Sequence, residues 1–191
     1  MNGATAVRKP GAATRVNAIV LLFVMLCGLP PQAVADELDD GIAAYRRKDY
    51  AAALRLLAPL AESGSAQAQL RLGQMFWYGQ GVKEDNTAAF RWFSRSAAQG
   101  NAEAQVHLAN LYISGLGVPP DEQHPDLAAA QWYFAAARQG HPEAQYGLGL
   151  LFLVGKGVQR DDAEALKWMQ RAAAQGHADA KAFVSGYPGS R

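Results

Sequence analysis

The sequence holds one cysteine, Cys27, among 191 residues, so the chain can form no internal disulfide and its fold has to be held by packing. Charge is also sparse. Asp, Glu, Lys and Arg make up 18% of the chain and both signs are interspersed. No basic stripe is present, which argues against a nucleic-acid partner, since nucleic acid is held by a clustered positive footprint. Acidic residues are missing altogether before Asp36. The apolar run from Ala18 to Leu26 falls short of the roughly 20 residues that cross a bilayer. No H-E-x-x-H, G-x-S-x-G, S-x-x-K or Walker sequence occurs, so the common metalloprotease, serine hydrolase and nucleotide-binding signatures are absent. A hydrophobic content of 50% argues against disorder.

The first 35 residues carry the three parts of a secretory signal peptide. Arg8, Lys9 and Arg15 supply positive charge, the apolar run follows, and Ala33-Val34-Ala35 places small residues where a signal peptidase reads them. Cleavage before Asp36 is therefore expected, with an uncleaved membrane anchor as the alternative. Lipidation at Cys27 is a lesser alternative, because Leu26 stands where a small residue belongs. Removing the leader leaves 15 basic against 17 acidic residues and no cysteine. No stable membrane insertion of the mature chain is expected.

What is present in abundance is alanine in a helical setting, and a repeat. Residues 68–100, 104–140 and 144–176 align with one another. Gly81-Val82, Gly117-Val118 and Gly157-Val158 are spaced by 36 and then 40 residues, whereas Trp92, Trp132 and Trp168 are spaced by 40 and then 36. That exchange locates a four-residue insertion between Val118 and Trp132, around PPDEQHPD.

Each unit reads as two helices. Ala68, Leu72 and Phe76, four apart, share one helical face, and Leu108/Tyr112 and Leu148/Phe152 repeat the pattern. Gly73, Ala109 and Gly149 let a partner helix come close. Gly79, Gly115 and Gly155 end the first helix, so G-x-G-V reads as a turn rather than a phosphate loop. Short acceptors at Asp85-Asn86, Pro125-Asp126 and Asp161-Asp162 precede the second helix and suit its positive end. The buried face of that helix is expected to be Ala89/Phe93/Ala97, Ala129/Tyr133/Ala137 and Ala165/Met169/Ala173, with the in-phase tryptophans in the core. Gly100, Gly140 and Gly176 close it.

The expected organisation is a leader (1–35), an atypical opening pair (36–65), repeats at 66–101, 102–141 and 142–177, and a partial repeat and tail (178–191). Irregular ends are what capping units look like in stacked repeats. The predicted fold is an all-α, right-handed solenoid of stacked antiparallel helix pairs.

The Leu-Gly-x-x-aromatic first helix follows tetratricopeptide logic. The G-x-G-V loop with acidic residues after it and the A-A-x-Q-G closing element resemble the Sel-one-like repeat family. The resemblance covers residues 66–181 strongly and 37–65 moderately. It implies an adaptor or regulator, with exported bacterial members acting in envelope assembly, signalling or host contact. Cysteine-rich relatives have been linked to penicillin binding. This chain departs from them in having no cysteine after the leader.

Candidate chemistry is thin. His141 and His177 match Asn101 just before a helix and read as helix-start punctuation. His107 matches Arg71 and Gly147, and that variability reads as a surface position. Asp121, Glu122, His124 and Asp126 gather in the insertion. They are metal-capable types, but no known ligand spacing is present, and a solvated loop available for a private contact is the reading taken. Trp77 does not recur, because Ile113 and Leu153 hold its position. It either packs between neighbouring first helices or faces a partner.

The expected function is to bind a protein or peptide along the concave face of the solenoid. Arg71, Gln74, Tyr78, His107, Asn110, Ser114, Gly147, Leu150 and Val154 fall on one first-helix face, distinct from 68/72/76. No cofactor, metal or catalytic residue is expected. The alternatives are a secreted host-interacting factor and a cell-wall-active hydrolase, the latter lacking any nucleophile–base pairing in the sequence. A periplasmic destination is expected, with secretion as the rival.

Overall fold

A computed structural model describes residues 31–187, and every described element is helical. The leader segment 1–30 lies outside the described residues. The helices are α1 (Pro31–Arg46), α2 (Tyr50–Glu62), α3 (Ala66–Tyr78), α4 (Asn86–Ala98), α5 (Ala102–Ser114), α6 (Pro125–Arg138), α7 (Pro142–Val154), α8 (Asp162–Ala174) and α9 (Ala178–Gly186). Each packs chiefly on its neighbours in sequence, and α1 also touches α3. The result is an all-α solenoid of stacked helix pairs: α3/α4, α5/α6 and α7/α8 follow the opening pair α1/α2, and α9 ends the stack. No helix of the described residues is long and apolar enough to cross a membrane.

Local chemistry sets the boundaries. The side chains of Ser65, Asp85, Asn101 and Asp161 accept from backbone N–H groups three residues on, capping α3, α4, α5 and α8. Helices α3, α5 and α7 end on Gly79, Gly115 and Gly155 in the left-handed conformation. The second glycine of each turn does more. A Cβ on Gly117 would lie 2.1 Å from the Asn86 carbonyl oxygen, and one on Gly157 2.0 Å from that of Asp126, both at positive φ. Each G-x-G-V turn is thus pressed onto the start of the second helix one repeat earlier, which locks the stacking register.

Four departures from the sequence expectations have clear physical causes. Helix α1 begins at Pro31 rather than near Leu38. Helix α6 begins at Pro125 with His124 as its cap residue and no side-chain cap bond; proline at the first helical position presets φ and removes one of the unpaired N–H groups. The deep apolar positions of the first helices are Met75, Leu111 and Leu151, each buried, whereas Phe76, Tyr112 and Phe152 are half-buried. Of the in-phase tryptophans only Trp168 is buried. Trp92 and Trp132 lie half-buried against the core, and the Arg95 guanidinium covers Trp92 at 4.7 Å.

A ladder of glutamines crosses the stack. Buried Gln69, Gln105 and Gln145 donate to the carbonyls of Ala61, Ala97 and Ala137, which belong to the preceding second helix. Their side-chain oxygens accept from Gln99, Gln139 and Gln175 at 2.8 Å each. Each rung therefore ties three helices, giving a second donor to a carbonyl that already accepts from the Gly64, Gly100 or Gly140 N–H.

Candidate functional site

Helices α3, α5 and α7 carry the residues expected to meet a partner, and the structure divides them into two sets. The first set is tied into the stack. Arg71 Nη1 donates to Gln74 Oε1 at 2.7 Å and lies 3.5 Å from Glu103 Oε1. Gln74 Nε2 donates to Glu103 Oε1 at 2.8 Å and reaches His107 Nε2 at 3.2 Å. Gln74 is itself buried. Its two amide hydrogens are both used and its oxygen accepts from Arg71, so it has no donor left for a ligand. The guanidinium of Arg71 also sits 5.7 Å from the ring of Tyr45, whose hydroxyl donates to Gln80. The network thereby links α1, α3 and α5.

His107 is not the surface residue that its variability suggests. Its ring stacks on Phe93 with centroids 4.7 Å apart and meets the edge of Trp77 at 5.1 Å. Burial pushes its pKa down to about 4, against a smaller upward pull from Glu103, so the ring is neutral at pH 7. Because an amide nitrogen only donates, Nε2 is the acceptor and Nδ1 carries the proton. That Nδ1 is buried without a hydrogen-bond partner.

His107 is half-buried, and Gly147, its equivalent one repeat on, is buried. A Cβ there would fall 2.7 Å from the Tyr133 ring. The position faces the preceding second helix, with an imidazole on Phe93 in one repeat and room for Tyr133 in the next. Tyr133 in turn donates its hydroxyl to Asn110 Oδ1, and burial pushes its pKa up to about 12. Asn110 is half-buried. Its remaining Nδ2 donors are the only part of that amide left for a partner.

The second set is exposed. Tyr78 is 57% and Val154 68% accessible, Leu150 is 39% accessible, and Ser114 is exposed with its hydroxyl bonded to carbonyls of its own helix. Positions 78, 114 and 154 are equivalent, so one exposed site per repeat changes from tyrosine to serine to valine. Trp77 is half-buried against Phe93 and His107, and Tyr78 stacks on it at 5.7 Å. The structure thus packs Trp77 against α4 and the next first helix, with the exposed Tyr78 ring stacked on it.

The insertion presents Asp121 and His124 exposed and Glu122 half-buried. Glu122 accepts from the His124 backbone N–H, and Asp126 pairs with Lys156 of the next repeat at 3.2 Å. Among the described residues, no three His, Cys, Asp or Glu side chains converge to hold a metal ion. The other histidines are helix-start residues: His177 accepts from the Ala180 N–H and stacks on Tyr146, whereas His141 makes no such cap. Among the described residues, the hydroxyls of Ser63, Ser96, Ser114 and Ser185 donate to backbone carbonyls. Sequence reasoning missed Glu103 and Tyr45: Glu103 reads as a helix-start acid like Glu143 and Asp179, and Tyr45 lies in the opening pair outside the aligned repeats.

Comparison with known proteins agrees with this geometry. The Sel1 repeat family model matches residues 33–65, 66–101, 102–141 and 142–177. Among solved structures, a Sel1 repeat protein from Oxalobacter formigenes is 32% identical over 79% of this chain and 60% of its own, with a TM-score of 0.69. The protein c5321, a protective antigen present in uropathogenic Escherichia coli strains, is 31% identical over 82% of this chain and 33% of its own, with a TM-score of 0.70. Cysteine-rich protein B of Helicobacter pylori shares the fold at 22% identity over 71% of this chain and 94% of its own, with a TM-score of 0.54. The present chain therefore spans about three fifths of the first and one third of the second. No curated protein matches it. Four matched repeats, stacked as the structure stacks them, place the chain in the Sel1 repeat family.

Proposed function

We propose that the chain is an exported interaction scaffold that binds a protein or peptide along the face formed by its first helices. The observation that carries this reading is the in-register row of Tyr78, Ser114 and Val154, joined by Leu150. These side chains are exposed, differ from repeat to repeat, and are not needed for packing. The neighbouring network of Arg71, Gln74, Glu103 and His107 holds the row rigid, and a rigid surface loses little entropy on binding. Export is supported by the charge pattern, apolar run and small residues at 1–35. The likeness to a protective antigen favours secretion or surface display as a second reading, and cell fractionation separates the two. A binding role fits the family better than a catalytic one.

The test begins with capture from an envelope extract on the immobilised mature chain. The triple change Tyr78→Ala, Leu150→Ala and Val154→Ser should leave the melting curve intact and weaken the captured partner by about tenfold or more. Changing Arg55 and Arg91 to alanine on second helices should have little effect. Normal capture by the triple variant overturns the assignment of this face.

A further inference from the structure

The outer face of α6 breaks the pattern of the other second helices. Leu127 and Phe134 are 45% and 44% accessible. The same positions hold Thr87 and Ser94 in the repeat before and Ala163 and Gln170 in the repeat after. The fold thus does not require large apolar residues there. They lie seven residues apart, two helical turns, and so share one side of α6 about 10 Å apart along the axis. Phe134 meets Trp168 of α8 edge-on at 6.1 Å. Arg138 lies 6.0 Å from the Phe134 ring and Arg171 4.4 Å from the Trp168 ring. Leu127 and Phe134 are the exposed apolar side chains of this face, and the buried Trp168 ring under Phe134 joins it to the two guanidinium groups.

Among the described residues, neither guanidinium group has a carboxylate partner: nearby ion pairs use Arg95 with Glu62, Lys167 with Glu164 and Lys156 with Asp126. A guanidinium held over a ring without a carboxylate of its own can take one from a partner through two parallel hydrogen bonds. We infer that this face docks an amphipathic helix of a partner protein, with apolar residues three, four and seven apart and acidic residues beside them. The spacing of Leu127 and Phe134 matches the ridge of such a helix, and the acidic side chains complement Arg138 and Arg171. A lipid surface fits less well, since both apolar side chains are more than half covered by their own chain and cannot reach deep below headgroups. This surface is separate from the first-helix face, and the inference does not depend on what binds there.

The test uses the full mature chain and a labelled synthetic helical peptide with leucines at i, i+3 and i+7 flanked by glutamates, followed by fluorescence anisotropy. Saturable binding is expected. Leu127→Thr with Phe134→Ser, the residues of the preceding repeat, should weaken it by about tenfold or more with an unchanged melting curve. Arg138→Gln with Arg171→Gln should weaken it as well, and a peptide with lysine in place of glutamate should not bind. Tyr78→Ala with Leu150→Ala should bind the glutamate peptide normally. Absence of binding, equal binding by the Leu127/Phe134 variant, or equally tight binding of the lysine peptide overturns the inference. So does a dimer at micromolar concentration, or binding to phosphatidylglycerol vesicles, that the Leu127/Phe134 change abolishes. Those results would assign the face to a second copy of the chain or to a membrane.

Discussion

Gln74 holds His107 in a single tautomer: its amide donates to Nε2 across 3.2 Å, which leaves the buried Nδ1 proton without a partner. The imidazole is stacked on Phe93, faces Trp77 edge-on, and is surrounded by Arg71, Glu103 and His141 as its charged or titratable neighbours. A ring so placed serves as a neutral spacer between repeats. Protonating it would put a charge beside Arg71 in a dry layer.

Acid should therefore loosen the junction between the first and second repeats. The pKa of His107 lies below its unfolded value, near 4 rather than 6.5. The unfolded chain takes up the proton first, so the stabilisation is fully present above pH 6.5 and is lost as pH falls towards 4. The loss over that window is about 2–3 kcal/mol at 1.36 kcal/mol per pKa unit. Urea unfolding of the wild type and of His107→Phe at pH 7.5 and 4.5 measures it. Phenylalanine keeps the stack on Phe93 but cannot titrate, so the variant should lose less stability on acidification. An identical acid loss in both proteins would place the effect elsewhere.

The glutamine ladder should be worth more in its middle than at its exposed ends. Gln105→Ala removes two bonds at once: the Ala97 carbonyl keeps only the Gly100 N–H, and the Gln139 amide keeps only its 3.5 Å contact to the Ala135 carbonyl. Two hydrogen bonds at about 1 kcal/mol each make a loss of about 2 kcal/mol. Gln175→Ala removes one exposed rung, and Gln145 keeps its bond to Ala137. The loss there should stay below about 1 kcal/mol, the usual net value of one hydrogen bond. Chemical denaturation of the two variants gives the ranking, and equal losses would show that the ladder is solvated.

Periodicity made the helices, the turns and the pairing legible, because glycine and tryptophan landmarks mark a repeat independently of packing. Gly79, Gly115 and Gly155 adopt the left-handed caps their position implied, and Gly73 lies close under Phe93 as a small residue there should. The division of the first-helix surface was less legible. A solenoid helix buries two faces, one on its own partner and one on the preceding repeat. Arg71, His107 and Gly147 vary because each answers a different neighbour, so their variability imitates exposure. Gln74 is hidden for a related reason: it is polar and yet buried, since Arg71, Glu103 and His107 satisfy it. The fold could be read from single positions, whereas the site depends on pairs of positions from different repeats.

The two glycines of one turn should differ sharply in their tolerance of alanine. Gly115 and Gly117 share a φ of +68°, so both variants incur the same left-handed strain of about 1–2 kcal/mol. A Cβ on Gly115 meets nothing within 4 Å, whereas one on Gly117 meets the Asn86 carbonyl oxygen at 2.1 Å. Backbone cannot rotate aside, so Gly117→Ala must lift the turn from the start of α4. Thermal melts should show a modest shift for Gly115→Ala and a loss at least twice as large for Gly117→Ala. Equal shifts would mean that the turn is not pressed onto the preceding repeat.

Cleavage of the leader before Asp36 should be neutral for the fold, although α1 runs continuously across that bond. Ala35, Asp36 and Glu37 are exposed, and Leu38 is the first described residue of α1 packed against the core, followed by Ile42 and Ala44. A chain beginning at Asp36 keeps all of these contacts and still has three helical turns before Arg46. Its new first turn carries Asp36, Glu37 and Asp39, and acidic side chains there oppose the positive end of the helix dipole, a gain of about 0.3–1 kcal/mol each at most. The new α-amino charge on Asp36 works against that gain. Intact-mass measurement of the protein recovered from the envelope should give a chain starting at Asp36, and its melting temperature should equal that of a version expressed from Asp36 directly. A recovered species that retains residues 1–35, or one carrying lipid on Cys27, would refute the cleavage site.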